Sequence, residues 1–371
     1  MRARELPGAV FDTLFRLFPR RAPTGLVRIG QPGRGSPVLL TGNYTVTVRR
    51  LRAALQGHDA WLLVANSKGV NVWCAAGGGL LTHHDVISVL RTSGIEDEVD
   101  AREVVLPQLA ATGVDRSKIE ATGWTVRWGP ARLEDLPAFL VRGGRVRKGE
   151  RAMRFPLWER LEMSLIWTPG LVAVGAPLLG WLRGWPLALA AMLPAALVVT
   201  AVFLGLPWLR VTGRARWLTF GALALASTAL CAGLLALLGA ATRADLALGA
   251  ATQAATMLLL SIDLTGTTPW YPSSVNALAS TARIELVEDR CTGAAACVQV
   301  CPREVLVMDG RRRKVTIQDP EACIRCGACV VQCPDDALQF RYDDGRVVEP
   351  ATIRRTRLNL MGKRAIEVRE G

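Results

Sequence analysis

Four apolar segments follow one another between residues 163 and 262, and they restrict the possible folds of this 371-residue chain strongly. They are Met163–Leu182, Trp185–Leu209, Trp217–Ala240 and Leu246–Ile262. Each is close to the roughly 20 residues that an α-helix needs to cross a bilayer. A single segment of this kind also suits a buried helix of a soluble protein, but four in succession predict an all-α transmembrane domain over residues 163–270.

The distribution of basic residues predicts an orientation in the membrane. Several Arg and Lys lie in the basic linker 143–162, and the loop after the second segment contains Arg210, Arg214 and Arg216, whereas the other two loops hold one Arg each. By the positive-inside rule, both soluble parts face the cytoplasm, in an integral protein of the cytoplasmic (inner) membrane.

The basic flanks also account for the formal net charge of +13. No nucleic-acid-binding motif accompanies this charge, so no nucleic-acid partner is expected. The basic N-terminal segment 1–34 lacks the continuous apolar run of a secretory signal, and it is expected to be a surface segment or a frayed terminus.

Seven of the nine cysteines form an internal repeat between residues 291 and 333. The second half reads C-x2-C-x2-C-x3-C-P, the spacing of bacterial two-cluster ferredoxins, in which the fourth cysteine ligates the other cluster. The sequence therefore predicts an α+β bacterial-type two-cluster ferredoxin domain over residues 283–345, followed by a basic tail, 346–371. Cysteines used in this way also indicate a reducing compartment.

The first half of the repeat has Ala294 where the second cysteine is expected. By the crossover rule, one [4Fe–4S] cluster is fully ligated, by Cys301, Cys323, Cys326 and Cys329. The other cluster is left with three ligands, Cys291, Cys297 and Cys333. We expect it to be a [3Fe–4S] cluster or a [4Fe–4S] cluster with an open iron.

Residues 35–142 alternate strand-like and helix-like segments, which predicts an α/β domain with a mainly parallel sheet. The predicted strands are Pro37–Thr41, Trp61–Ala65, Val70–Trp73, Val104–Leu106 and Trp124–Trp128, and the predicted helices are Thr45–Leu55, Thr82–Leu90 and Leu133–Leu140. Ligands of such sheets gather beyond the carboxyl ends of the strands.

Cys74 follows the predicted strand Val70–Trp73 and precedes three glycines. A thiol at such a junction lies near partial positive charge, which favours the thiolate. The alternative is a small buried apolar residue beside a tight turn. The adjacent His83 and His84 would point in different directions on a helix, so we expect capping or surface roles for them. Cys231, inside the third apolar segment, is expected to serve packing.

Asn71–Gly77, with the sequence NVWCAAG, resembles the cap-helix signature of the mercury-methylation corrinoid protein, a relative of the corrinoid iron–sulfur methyl carriers of acetyl-CoA metabolism. Further segments of residues 35–280 resemble this family: Arg102–Leu109, Thr122–Gly129, Leu136–Leu140 and Leu264–Pro269. The cysteine-rich domain resembles the ferredoxin partner of that protein, here fused to it.

The resemblance implies an α/β corrinoid-binding domain over residues 35–142. It implies that the thiolate of Cys74 is an axial ligand to the cobalt of a base-off, cobalamin-type corrinoid. It places the following residues around the cofactor: Asn43, Asn71, Val72, Trp73, Ala75, Ala76, Gly77 and Gly79. The implied partners are a methyl donor (a methylated pterin or a methyltransferase), a low-potential reductant and Hg(II) as methyl acceptor.

Two departures from the family leave alternatives open. Gly78 stands where the family usually has lysine, and no cysteine follows Cys333, whereas the family's ferredoxin partner has a cysteine pair near its C-terminus. The second hypothesis is therefore a corrinoid methyltransferase whose methyl acceptor is not mercury. A third hypothesis is a membrane electron-transfer protein whose α/β domain binds no corrinoid.

Overall fold

The computed structural model describes residues 19–210, 215–266, 282–358 and 364–367. Among these residues, the stretches before Met153 and after Gly266 form one compact unit, and Arg154–Thr265 form another. Several sequence features lie outside the described residues: residues 1–18 of the basic N-terminal segment, Arg214, the end of the Leu264–Pro269 match, and residues 359–363 and 368–371 of the basic tail.

Residues 19–142 contain a sheet of five strands. The strands are β1 (Gly25–Ile29), β2 (Val38–Gly42), β3 (Ala60–Ala65), β4 (Glu103–Leu106) and β5 (Thr125–Trp128), in the order β1-β3-β2-β4-β5. β3, β2, β4 and β5 are parallel, and β1 pairs with the edge of β3 in the antiparallel direction. The prediction of an α/β domain with a mainly parallel sheet is confirmed.

Short helices connect the strands and cover both faces of the sheet. They are α1 (Thr45–Ala54), α2 (Val72–Gly78), α3 (His83–Thr92), α4 (Ile95–Glu98), α5 (Arg116–Glu120) and α6 (Leu136–Val141), with 3₁₀ helices at Gln108–Thr112 and Leu133–Asp135. Because β3 is buried along its whole length, its successive side chains fill two apolar cores, Leu63 on one face and Leu62 on the other.

Two local predictions were wrong. Val70–Trp73 does not form a strand: Val72 and Trp73 open helix α2, because Asn71 caps it. The strand β1 was missed, and it lies within the segment 1–34 that we had placed outside the α/β domain. The alternation of apolar and polar residues that predicts a strand is hard to recognise in β1, because the strand has only five residues and one of them is Arg28.

The second unit contains four long helices in the described residues: α7 (Leu157–Arg183), α8 (Trp185–Gly205), α9 (Ala215–Leu237) and α10 (Arg243–Gly266). Their length and composition are sufficient to cross a membrane. Large apolar side chains such as Trp181 and Leu225 point outward. The predicted segments each fall largely within one helix, although α7 begins in the predicted linker.

Inside this unit, small residues and a few polar contacts join the helices. The amide Nε2 of Gln253 donates to the carbonyl oxygen of Ala191 at 2.8 Å, and Arg183 pairs with Asp245 at 2.9 Å. Cys231 is buried, and a Cβ on Gly249 would lie 2.6 Å from its sulfur. Cys231 therefore packs against a facing helix, in agreement with the predicted packing role.

The cysteine-rich domain has short strands around two one-turn helices. The strands are β6 (Arg283–Leu286), β7 (Leu306–Asp309), β8 (Lys314–Ile317), β9 (Leu338–Arg341) and β10 (Val347–Val348), and the helices are α11 (Ala296–Val300) and α12 (Ala328–Val331). Helix α13 (Pro350–Arg355) and the antiparallel strands β11 (Thr356–Leu358) and β12 (Arg364–Glu367) follow. The predicted α+β class of this domain is confirmed.

Candidate functional site

The helix α2 begins with a cap that also holds the Cys74 thiol. The side-chain oxygen of Asn71 accepts from the backbone N–H of Cys74 at 2.9 Å. The amide Nδ2 of the same Asn71 lies 3.3 Å from Cys74 Sγ, to which it donates. The half-buried thiol thus lies in the first turn of a helix, where orphan N–H groups and an amide donor favour a thiolate.

The other end of α2 is fixed by close backbone packing. Gly79 has φ of +77° and closes the helix in the left-handed conformation that glycine adopts without strain. Ala75 and Ala76 are fully buried. A Cβ on Gly113 would lie only 2.2 Å from the carbonyl oxygen of Ala76, so the backbone after the 3₁₀ helix Gln108–Thr112 touches α2 directly.

A cavity of about 230 Å³ lies between the start of α2 and the carboxyl ends of the parallel strands. Residues Asn71, Val72 and Trp73 of the helix line one side of it. The rest of the lining comes from β2, from the end of β4 and from the segments that follow β4 and β5. It is largely apolar, with Leu39, Leu40, Thr41, Leu106, Pro107, Leu109, Gly129, Pro130, Leu133 and Leu136. A crevice at this edge of a parallel sheet is the usual ligand position of the fold.

The structure separates the predicted corrinoid residues into two groups. Asn71, Val72 and Trp73 line the cavity, whereas Cys74, the next residue, is not among its described lining residues. Ala75 and Ala76 instead pack inward and position the helix, and neither Gly77 nor Gly79 is among the cavity's described lining residues.

Asn43 was predicted to contact the cofactor, and the structure places it elsewhere. Its buried side-chain oxygen accepts from the backbone N–H groups of Ser67 and Gly69, both at 2.9 Å. Its amide donates to the carbonyl oxygen of Ala22 at 3.3 Å. These hydrogen bonds shape the loop that leads into α2, so Asn43 organises the site without lining the cavity.

The two histidines do not form a metal site. Thr82 caps helix α3 in a capping box with Asp85, and His83 follows as the first helical residue. Burial, the neighbouring His84 and the nearby Arg357 lower the pKa of His83 below its ordinary value. Among the described residues, no three His, Cys, Asp or Glu side chains converge on a single metal ion.

The structure brings three cysteines of the repeat together around one cavity, which is lined by Cys291, Cys297 and Cys333 with Ala294. Burial raises the pKa of Cys329 well above its ordinary value, and the neighbouring thiols of Cys326, Cys323, Cys301 and Cys297 add to this effect. The crossed assignment of the cysteines to two clusters stays a prediction. Among the described residues, no group of cysteines is close enough to bind a single metal ion. This does not argue against cluster binding, because the cysteines that ligate one cubane surround a whole cluster and lie further apart.

The two halves repeat each other in detail. The backbone N–H of Val305 donates to Cys301 Sγ at 3.3 Å, and that of Ala337 donates to Cys333 Sγ at the same distance. Burial raises the pKa of Cys297 to about 12 and that of Cys323 to about 11. Buried thiols grouped in this way become thiolates when iron binds them, so the residues present fit two iron–sulfur clusters.

Two residues that join the iron–sulfur domain to the α/β domain were missed from sequence. Gln332 Nε2 donates to the carbonyl oxygens of Ala111 at 2.9 Å and Val114 at 2.7 Å. Arg357 donates to the carbonyl oxygen of Gly113 at 3.2 Å, and burial lowers its pKa. Their partners lie more than 200 positions away in sequence, so no local pattern could have identified them.

Comparison with known families matches both soluble parts. Residues 17–140 match the family described as the CO dehydrogenase/acetyl-CoA synthase delta subunit. Residues 290–337 match the 4Fe-4S dicluster domain. The prediction of a ferredoxin-type domain is therefore confirmed, and the α/β domain is similar to the subunits of acetyl-CoA metabolism.

Curated relatives of the α/β domain are gamma subunits of the acetyl-CoA decarbonylase/synthase complex. The subunit of Methanopyrus kandleri is 38% identical over 131 residues, 35% of this chain and 28% of its own length. Those of Archaeoglobus fulgidus and Methanocaldococcus jannaschii are each 34% identical, over 30% and 33% of this chain and 24% and 25% of their own. The chain spans about a quarter of the length of these relatives. These names concern acetyl-CoA chemistry, and mercury methylation rests on the sequence resemblance alone.

Proposed function

We propose that this chain is a membrane-anchored, corrinoid-dependent methyl carrier with its own iron–sulfur reductant. The observation that carries this proposal is the hydrogen bond from Asn71, a lining residue of the apolar cavity, to the sulfur of Cys74, in a domain similar to subunits of acetyl-CoA decarbonylase/synthase. A half-buried sulfur donor beside an apolar cavity suits an axial ligand of a corrinoid cobalt. When bound, a corrinoid supplies a redox-active metal that accepts and passes on a methyl group.

The residues of the cap helix have distinct roles in this proposal. Cys74 supplies the thiolate toward the metal. Asn71 fixes the start of the helix and, through its amide N–H, the position of the sulfur and its electron density. Val72 and Trp73 provide apolar surface for the corrinoid and exclude water from the cavity.

The fused iron–sulfur domain serves as a built-in electron source. Both soluble parts belong to one compact unit among the described residues, so the donor is always close to the cavity. The four apolar helices hold this unit at the cytoplasmic face of the inner membrane, with both soluble parts on one side. Reporter fusions at residues 184 and 241 test this orientation, and cytoplasmic signals at both positions would contradict it.

The experiment for the proposed function is anaerobic reconstitution of the full-length protein with cobalamin. We expect stoichiometric cobalt, two clusters of iron, and a corrinoid spectrum that changes in Cys74→Ala. Iron without stoichiometric corrinoid would instead support the alternative of a membrane electron-transfer protein. An unchanged spectrum and unchanged methyl transfer in Cys74→Ala would exclude the axial role.

For the methyl acceptor, we propose Hg(II), from the likeness of Asn71–Gly77 to the mercury-methylation family. The second candidate is an acceptor other than mercury, and Gly78, which stands where the mercury-methylation family usually has lysine, favours it. The corrinoid-loaded protein is supplied with a methyl donor, a low-potential reductant and Hg(II), and methylmercury is measured. Intact cobalt and iron with no methylmercury would exclude mercury as the acceptor and leave the second candidate.

A further inference from the structure

The iron–sulfur domain shares a hydrophobic core with the α/β domain. Ile324, Cys326 and Ala328 are buried in the same apolar cluster as Ala110 and Ala111 of the 3₁₀ helix Gln108–Thr112. The two domains are therefore packed as a single body rather than connected only by the chain.

Buried hydrogen bonds fix this contact in one register. Gln332 is 4% exposed and donates to two carbonyl oxygens of the α/β domain, while its own oxygen accepts from the backbone N–H of Arg116 at 3.3 Å. The main chain contributes as well, since the N–H of Met153 donates to the carbonyl oxygen of Pro302 at 2.7 Å. Sliding of one domain over the other would leave these groups unpaired in an apolar interface.

The opposite side of the same 3₁₀ helix faces the cap helix α2. The close approach of Gly113 to Ala76 puts this segment in direct backbone contact with the helix that carries Cys74. The segment Gln108–Gly113 thus forms a layer that contacts both α2 and α12, the helix that contains Cys329.

The two cysteine sets are not equivalent with respect to this layer. Cys326, from the fully ligated set, lies in the shared core. The cavity of the three-cysteine set is lined, among the described residues, only by positions between 291 and 338, all within the iron–sulfur domain. Among the described residues, none of Cys291, Cys297 and Cys333 belongs to that core, so the fully ligated set is the one that contributes a cysteine to it.

We infer that the cluster held by Cys301, Cys323, Cys326 and Cys329 is the immediate electron donor to the cap-helix cavity, and that the three-cysteine cluster is the entry point for electrons. This inference rests on the proposed function. If a corrinoid were bound, one electron would pass from the proximal cluster to its cobalt, and a low-potential one-electron donor would restore that electron through the distal cluster. No covalent bond to the protein forms or breaks. The path crosses the Gln108–Gly113 layer.

The test measures distances and needs no corrinoid. In the full-length protein with clusters in place and Cys231→Ala, a reduction-stable trityl spin label is attached to Cys74, and pulsed dipolar EPR gives its distance to each reduced cluster. Cys291 and Cys323 are the first cysteines of the two halves of the repeat. Cys291→Ser and Cys323→Ser should each alter the EPR spectrum of one cluster, so the two variants assign each measured distance to its cluster.

We expect the shorter distance to belong to the cluster altered by Cys323→Ser, and Gln332→Leu to broaden that distance distribution. A shorter distance to the cluster altered by Cys291→Ser, or two equal distances in the protein with all ligands intact, would overturn the inference. Because the label replaces the corrinoid, a protein that binds no corrinoid still gives this result. Failure of the proposed function is seen separately, in the cobalt content.

Discussion

The amide of Asn71 contacts Cys74 twice, accepting from its backbone N–H at 2.9 Å and donating to its sulfur at 3.3 Å. One side chain therefore caps the helix and donates a hydrogen bond to the sulfur. The two effects are separable, because the oxygen provides the cap and the N–H group provides the donor.

We predict that Asn71→Ala slows alkylation of Cys74 in the corrinoid-free protein and, by loss of the cap, destabilises the unit by about 1 kcal/mol. Asn71→Asp is the matched control, because it keeps the capping oxygen and loses the donor. It should retain stability and still react slowly. Rates are followed by mass spectrometry of the Cys74 peptide at fixed pH, and an Asp variant as reactive as the wild type would contradict the role of the amide.

Gly113→Ala should destabilise the contact between the cap helix and its neighbour. The added Cβ would lie 2.2 Å from the carbonyl oxygen of Ala76, and overpacking of this kind costs about 1–3 kcal/mol. The control is Gly33→Ala, where nothing lies within 4 Å of the new Cβ. Thermal unfolding of the detergent-solubilised protein measures both variants, and equal melting temperatures would show that the backbone relaxes freely.

The sequence contained enough information for the parts of the site that depend on local spacing. The ferredoxin-type domain follows from the spacing of the repeat, and helix α3 begins directly after Thr82, the first residue of the predicted helix Thr82–Leu90. Both depend on residues a few positions apart, whose relative placement a helix turn or a cluster dictates.

The wrong predictions arose where two local patterns compete. Val70–Trp73 is a short apolar run, which periodicity alone cannot distinguish from the start of a helix, and the capping preference of Asn71 was the signal that decides it. Gln332 and Arg357 could not be found at all, since their importance comes from carbonyl groups that only the folded chain brings near.

Ala294→Cys should convert the three-cysteine site into a fully ligated one. Ala294 already lines the same cavity as Cys291, Cys297 and Cys333, so a thiolate there reaches the missing corner of the cluster. We expect one additional tightly bound iron and the loss of any three-iron EPR signal in the oxidised protein. Ala294→Ser is the control with a weaker oxygen donor. A three-iron signal that persists in the Cys variant would mean that the new thiolate does not reach the cluster, and the same iron content with no three-iron signal in either protein would mean that the wild-type cluster already holds four irons.

The lowered pKa of His83 predicts that the protein loses stability in mild acid. Burial is the main cause that lowers its pKa below the ordinary 6.5, helped by His84, Arg357 and Lys118 and opposed by Asp115. The unfolded chain therefore binds the proton more readily than the folded chain, so the stabilisation is complete above pH 6.5 and is lost as the pH falls toward the folded pKa.

The measurement for His83 is the melting temperature of the holoprotein between pH 7.5 and 5. His83→Gln, which does not titrate, should flatten the fall, while His84→Gln should keep the larger part of it because burial of His83 remains. Because the charge of Arg357 contributes to the lowered pKa of His83 and Arg357 also donates to the carbonyl oxygen of Gly113, protonation of His83 should weaken the region around this contact. A pH profile of His83→Gln identical to the wild type would assign the acid sensitivity to other groups.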